Sequence, residues 1–230
     1  MIFKRFVADS GSSPLRYNPL LHGRPHWGAF EEKKMAGYIS FFKLDKWFTE
    51  TFSLDEQKIM EEKYSVGGIG DTPLFFGKSA TAYNGSAAFF LADLTQWFNT
   101  KELSFIGLRL AKKAEELFEE QNESDINKHF FYMNMIKFYY KNRENEENLQ
   151  KSIFYCEKQI SISKQTSKAF KEDPLIGTSY LPSHTGFEQL AIIEKKNKNW
   201  NRVIELSEKA KSEGWAGDWD KRISEAKSKL

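Results

Sequence analysis

A single cysteine, Cys156, in 230 residues leaves no partner for an intrachain disulfide, and nothing suggests an oxidising compartment. An excess of charge of either sign is missing too. Thirty-four basic side chains face 32 acidic ones, a net charge of +2. That balance lacks the concentrated basic stripe nucleic-acid binding would want, so no nucleic-acid partner is expected. No stretch approaches the roughly 18 uncharged apolar residues of a membrane span. The opening MIFKRFVADSGSS has two basic residues but no apolar run of signal-peptide length. The expected location is therefore cytoplasmic, with no membrane partner. Proline is sparse at six, and three of these (Pro14, Pro19, Pro25) fall in the first 36 residues.

Aromatic side chains, by contrast, are plentiful: 15% of the chain, including 20 Phe, many of them in FF, FFY and WF steps. Such bulk favours wide helix-packing interfaces over a thin two-layer fold. Residues 1–36, with SSPLRYNPLLHGRPHWGAF, read as an irregular arm, because Pro and Gly break regular elements. Its Leu, Tyr, Trp and Phe imply that the arm packs on the body. Residues 37–85 follow as N-terminal helices and a glycine-rich loop. Within them, SLDEQKIMEEKY opens with Ser53 and has Glu56 three residues later, a capping box whose helix ends near Tyr64. SVGGIGDTPLFFGKSATAYNG (65–85) is a long break. It lacks the Lys-Ser/Thr of a phosphate loop and the spaced glycines of a dinucleotide fingerprint, and reads as a connector.

Residues 86–230 carry three helix pairs and a closing helix. SAAFFLADLTQWFN runs into ELSFIGLRLAKKAEELFEE, with Leu91, Leu94, Thr95 and Phe98 lining the first helix and Gly107, Leu108, Ala111 and Ala114 the second. The small residues let two helices approach closely. HFFYMNMIKFYYKN precedes ENLQKSIFYCEKQISI, with Tyr132, Met135, Ile136 and Tyr139 facing Ser152, Ile153 and Cys156. Here the turn is longer, and Gln159 stands where a small residue is usual. Residues 163–182 read as an interruption. The third pair, FEQLAIIEKKNKNWNRVIELSEKAK (187–211), places Phe187, Leu190, Ala191, Trp200, Val203, Ile204 and Ala210 as packing residues. Gly214 suits a left-handed position after a helix, and a final helix from about Asp218 lays Trp219 and Ile223 back on the last pair.

These pairs resemble the tetratricopeptide (TPR) family of helical repeats over roughly 87–230, most closely at LAIIEKKNKNWNRVIELSEKA. The layout, a helical N-terminal region joined to such repeats, is also similar to that of a group of bacterial proteins. The resemblance implies an all-α fold: antiparallel helix hairpins stacked as a short, irregular TPR-like α-solenoid with a C-terminal capping helix. No single hairpin can bury its own apolar face, so each needs neighbours.

The resemblance also implies a non-enzymatic scaffold or adaptor that binds a protein or peptide on a concave face lined by first helices. Family positions fall on Phe89, Ala92, Gln96 and Asn99, then Phe130, Met133, Lys137, Tyr140 and Lys141, then Glu188, Ile192, Lys195 and Lys196. Asn99, Lys137, Lys141 and Lys195 could hold acidic side chains or a carboxylate by charge-assisted hydrogen bonds, so an acidic partner is expected.

Other chemistry has little support. His22 and His26 are four apart, but HGRPH is unsuited to the helix that zinc ligation at that spacing needs, so no metal or other cofactor is expected. Cys156, on an apolar helix face, reads as a small hydrophobe. Asp45, Glu50, Asp55 and Asp93 show no paired carboxylate motif. Two further readings stand beside the scaffold. One is an enzyme whose site is built by the N-terminal arm and the 65–85 loop. The other is a structural homo-oligomer.

Overall fold

The structure is a computed structural model, and it describes residues 35–64, 74–75, 79–119, 122–173 and 180–230. Residues 1–34, which hold most of the N-terminal arm with His22 and His26, lie outside the described residues, as do 65–73 and 76–78 of the glycine-rich stretch. What is described is mostly helical, with two short strands.

The N-terminal region holds α1 (Gly37–Phe41), α2 (Asp45–Thr51) and α3 (Leu54–Lys63). Ser53 caps α3 in the expected box: its side chain accepts from Glu56 N–H, and the Glu56 carboxylate accepts from Ser53 N–H at 2.8 Å. Glu56 does more than cap. Its carboxylate also takes the guanidinium of Arg109, which in turn donates to the Thr51 carbonyl at 2.8 Å and lies 4.7 Å from the Phe52 ring centre. Part of the 65–85 stretch is anchored rather than a simple connector. Leu74 and Phe75 are fully buried, and their N–H groups donate to the Glu61 carboxylate at 3.3 and 3.2 Å.

Three helix hairpins follow. The first joins α4 (Ala87–Leu94), extended by a 3₁₀ turn at Thr95–Phe98, to α5 (Ser104–Leu117). The second joins α6 (Asp125–Lys141) to α7 (Glu146–Ser161), and the third α9 (Thr185–Lys196) to α10 (Trp200–Glu213). Each first helix packs against the next, α4 on α6 and α6 on α9, while α7 also packs on α9. Close approach has a visible cause at Gly107. A Cβ there would lie 2.4 Å from the Phe138 ring and 2.7 Å from the Phe98 carbonyl oxygen. Gly107, Ala111 and Ala114 are all buried, so the small stripe of α5 is the surface its neighbours sit on.

The residues 163–182 differ from the expected interruption. Ser163–Glu172 form a helix, α8, that starts directly after α7 and packs on α6, α7 and α10. Its buried face is Ser163, Thr166, Ser167 and Phe170, a 3.6-residue stripe made mostly of hydroxyl side chains. With one large apolar residue in ten, the stripe is set apart by hydroxyl side chains against lysines rather than by apolar bulk.

The last hairpin is enclosed by a short parallel pairing of β1 (Leu181–Ser183), just before α9, with β2 (Trp215–Ala216), just after α10. Gly214 takes the left-handed conformation at φ 87°, as its place after α10 suggests. The chain closes with α11 (Trp219–Lys227), which packs on α10 and buries Trp219. Its outer residues are lysines, an aspartate, a glutamate and an arginine, so the chain closes on a polar face.

Two polar side chains knit the hairpins together. Glu115 of α5 accepts from the Tyr139 hydroxyl at 2.7 Å, the Tyr155 hydroxyl at 3.0 Å and Lys151 at 2.9 Å, joining α5, α6 and α7. Gln159, the residue where a small side chain is usual, donates to the His129 carbonyl at 2.8 Å and accepts from Gly186 N–H at 2.6 Å. Its amide thus bridges the second hairpin to the start of the third.

Candidate functional site

The side chains left open by this packing lie in rows along the first helices. On α6 the stripe Phe130, Met133, Lys137, Tyr140, Lys141 recurs at helical spacing, and none of the five is buried, while the opposite stripe is core. On α9 the open residues are Glu188, Ile192, Lys195 and Lys196. The two rows meet: Lys196 donates to the Tyr140 hydroxyl at 2.9 Å, and its ammonium is 5.5 Å from the Tyr140 ring centre. Phe130 is half-buried, with ring centres at 6.5 Å from Phe89 and 6.0 Å from Phe170, so it serves mainly as packing.

On α4 the placement differs from expectation. Ala92 is fully buried and cannot line a groove. Gln96 is half-buried and its amide donates to the Asn134 carbonyl at 2.9 Å, a seam contact between α4 and α6. Asn99 is half-buried at the end of the 3₁₀ turn. The open residue of α4 is Asp93, which receives a hydrogen bond from Asn134 Nδ2 at 3.4 Å. A lone Asp in an aliphatic stretch carries no spacing signal, and only the packing of α4 on α6 reveals its position.

The charges across the row alternate. Lys137 feels both Glu188 and Asp93, and Glu188 in turn feels Arg222 and Asp218 of the closing helix region. Burial lowers the pKa of Lys137 below the ordinary lysine value and raises those of Asp93 and Glu188 above the ordinary carboxylate range. Both Lys137 and Asp93 stay exposed to solvent beside these neighbours. Lys195 is bonded to Glu225 of α11 at 2.8 Å. Beside that pair lies a cavity of about 240 Å³ whose lining includes Lys195, Trp200, Asp218, Arg222 and Glu225.

A second constellation is internal. His129 and His184, distant in sequence, have ring centres 5.1 Å apart, and both rings contact Trp215, at 5.4 and 4.6 Å. Both histidines are buried. Burial lowers the His129 pKa from 6.5 to about 4 and holds that of His184 well below its ordinary value. His184 Nδ1 accepts from Phe187 N–H at 3.3 Å, capping α9, so its proton resides on Nε2, which has no hydrogen-bond partner among the described residues. Cys156 is buried in the same hairpin, and desolvation pushes its thiol pKa up, keeping it protonated. No protein-family model, curated protein or solved structure matches this chain.

No helix among the described residues is long and apolar enough to cross a membrane. Among the same residues, no group of three or more His, Cys, Asp and Glu side chains is arranged to hold a metal ion.

Proposed function

We propose that the chain is a TPR-like scaffold that binds an extended segment of a protein partner along the open faces of α4, α6 and α9. The observation that carries this reading is the row of side chains from Lys137 and Tyr140 on α6 to Ile192 and Lys196 on α9. These are polar, aromatic and aliphatic groups kept out of the core on neighbouring helices, joined by the Tyr140–Lys196 hydrogen bond. Helical pairs stacked side by side leave one face for such a segment, and its recognition combines aromatic contact with charge-assisted bonds. The alternating Asp93, Lys137, Glu188 and Arg222 favour a partner of mixed charge over a wholly acidic one. Catalysis plays no part in this reading.

The test is a random-peptide display selection on the full chain. Enriched peptides should lose capture at least about tenfold on a Lys137→Glu, Tyr140→Ala double variant whose helical circular dichroism is unchanged. Failure to enrich any peptide, or enrichment indifferent to both changes, refutes the scaffold.

Self-association is a second reading, favoured by apolar side chains on the second helices: Phe105 is 46% exposed and Phe154 53%. Mass in solution at high concentration separates the two, because a strict monomer removes self-association.

A further inference from the structure

Asp93 is the only carboxylate on the open side of α4, and aromatic rings bracket it on both sides along the helix. Phe89 lies one turn before it and Trp97 one turn after. Each of these rings is paired with a tyrosine from the N-terminal region: Tyr83 against Phe89 with ring centres at 6.1 Å, and Tyr64 against Trp97 at 5.8 Å. Tyr38 packs edge-on against Tyr83 at 5.5 Å and extends the aromatic wall on the Phe89 side. Gly85 makes the wall possible. Its φ of 149° and its contact with the Phe89 ring, where a Cβ would sit only 2.3 Å away, let the chain that carries Tyr83 lie directly on α4.

None of the three tyrosines is fully buried, and Trp97 keeps 38% of its surface open. Tyr64 and Tyr83 reach the stripe of α4 that carries Asp93 through their contacts with Trp97 and Phe89, each four residues from it. Asp93 itself makes no ion pair among the described residues; its one hydrogen bond is the 3.4 Å contact from Asn134. Burial raises its pKa, while the Asn134 hydrogen bond and the Lys137 charge lower it.

A carboxylate flanked along its helix by aromatic rings matches one chemistry, an organic cation. The ring quadrupoles attract the cation's flanks while the carboxylate takes its N–H groups. We propose that Asp93, with Trp97, Tyr64 and Tyr83, is a binding site for the guanidinium or ammonium side chain of a partner polypeptide. This deepens the scaffold reading and rests on it for the source of the cation: the segment lying over α6 and α9 presents a basic residue at the α4 end of the groove. The alternation across the helices then acquires a register, with a basic partner residue over Asp93 and an acidic one over Lys137.

The experiment uses the full chain, labelled with nitrogen-15 at tryptophan, and follows the Trp97 indole N–H by NMR, assigned by its loss in Trp97→Phe. N-acetyl-arginine amide is titrated beside its neutral isostere N-acetyl-citrulline amide at matched ionic strength. The expected result is a saturable arginine shift, at least about tenfold weaker for citrulline and weakened by a similar factor in Asp93→Asn. Asp93 is exposed, so that variant keeps its fold, and an unchanged thermal melt confirms it. A shift equal for citrulline, a shift unaltered in Asp93→Asn, or no saturable shift each overturns the site. The two proposals fail separately. Arginine binding that depends on Asp93, with no peptide binding more tightly than the amide, supports the cation site and sinks the scaffold. Display-selected peptides that bind through Lys137 and Tyr140 while the arginine amide does not bind leave the scaffold standing and overturn the cation site.

Discussion

Acidification should destabilise this fold through the His129–His184 pair, and the size of the effect follows from its burial. Both rings are uncharged in the folded state, enclosed against Trp215, and charging either requires a cation where there is no water. Lys137 opposes protonation of His129, while His129 and Lys209 oppose that of His184. A base whose folded pKa is depressed binds fewer protons in the folded chain than in the unfolded one between the two pKa values. Stability therefore rises with pH in that window and is lost as pH falls through it. For His129 the window runs from 6.5 down to about 4. At about 1.4 kcal/mol per unit, this one group costs about 3 kcal/mol on going from neutral pH to about pH 4, a large share of a typical domain's stability.

Urea unfolding at a series of pH values measures it. Carboxylates titrate in the same range with mixed signs, burial raising Glu61 and ion pairing with Arg109 lowering Glu56, so the informative quantity is a difference between chains. His129→Phe keeps an aromatic ring of similar size and cannot be charged. The stability gap between wild type and this variant should shift in favour of the variant by about 3 kcal/mol between neutral pH and about pH 4. Parallel curves, with a gap constant to within about 0.5 kcal/mol, would show that the buried imidazole does not drive acid unfolding.

Three further outcomes test the packing. Gly107→Val should lower stability by about 3 kcal/mol in chemical denaturation, because collision with the Phe138 ring and the Phe98 carbonyl outweighs the gain of about 0.5 kcal/mol in helix propensity over glycine. Glu115→Ala, which strips Tyr139, Tyr155 and Lys151 of their shared acceptor, should cost about 2–3 kcal/mol, and Glu115→Gln less. Glu56→Ala should cost more than the roughly 1 kcal/mol of an ordinary cap, since it also releases Arg109; in an Arg109→Ala background the cost should fall back toward the cap alone.

Features governed by local rules could be read directly from residues. The Ser53–Glu56 box, the left-handed Gly214 and the closing helix near Asp218 all depend on neighbours within about one or two helical turns, where backbone chemistry and helical period are decisive. What escaped depends on contacts between distant residues. Helix α8 hides its period behind Ser163, Thr166 and Ser167, side chains that count as polar in any apolar pattern yet are buried. Gln159 looks like a packing defect until Gly186 supplies its partner 27 positions away. Ala92 and Asp93 exchange roles relative to the family pattern because α4 turns Ala92 into the core and leaves Asp93 open. The aromatic surround of Asp93 draws on Tyr38, Tyr64 and Tyr83, all from before α4, and no periodic signal links them to it.

The pairing of Leu181–Ser183 with Trp215–Ala216 sets the entry and exit of the last hairpin side by side. Together with α9 against α10, it gives that unit two independent fastenings. A protease cut at 197–199, between α9 and α10, would thus not release the C-terminal piece. The two fragments would travel as one particle in gel filtration, separating only in denaturant.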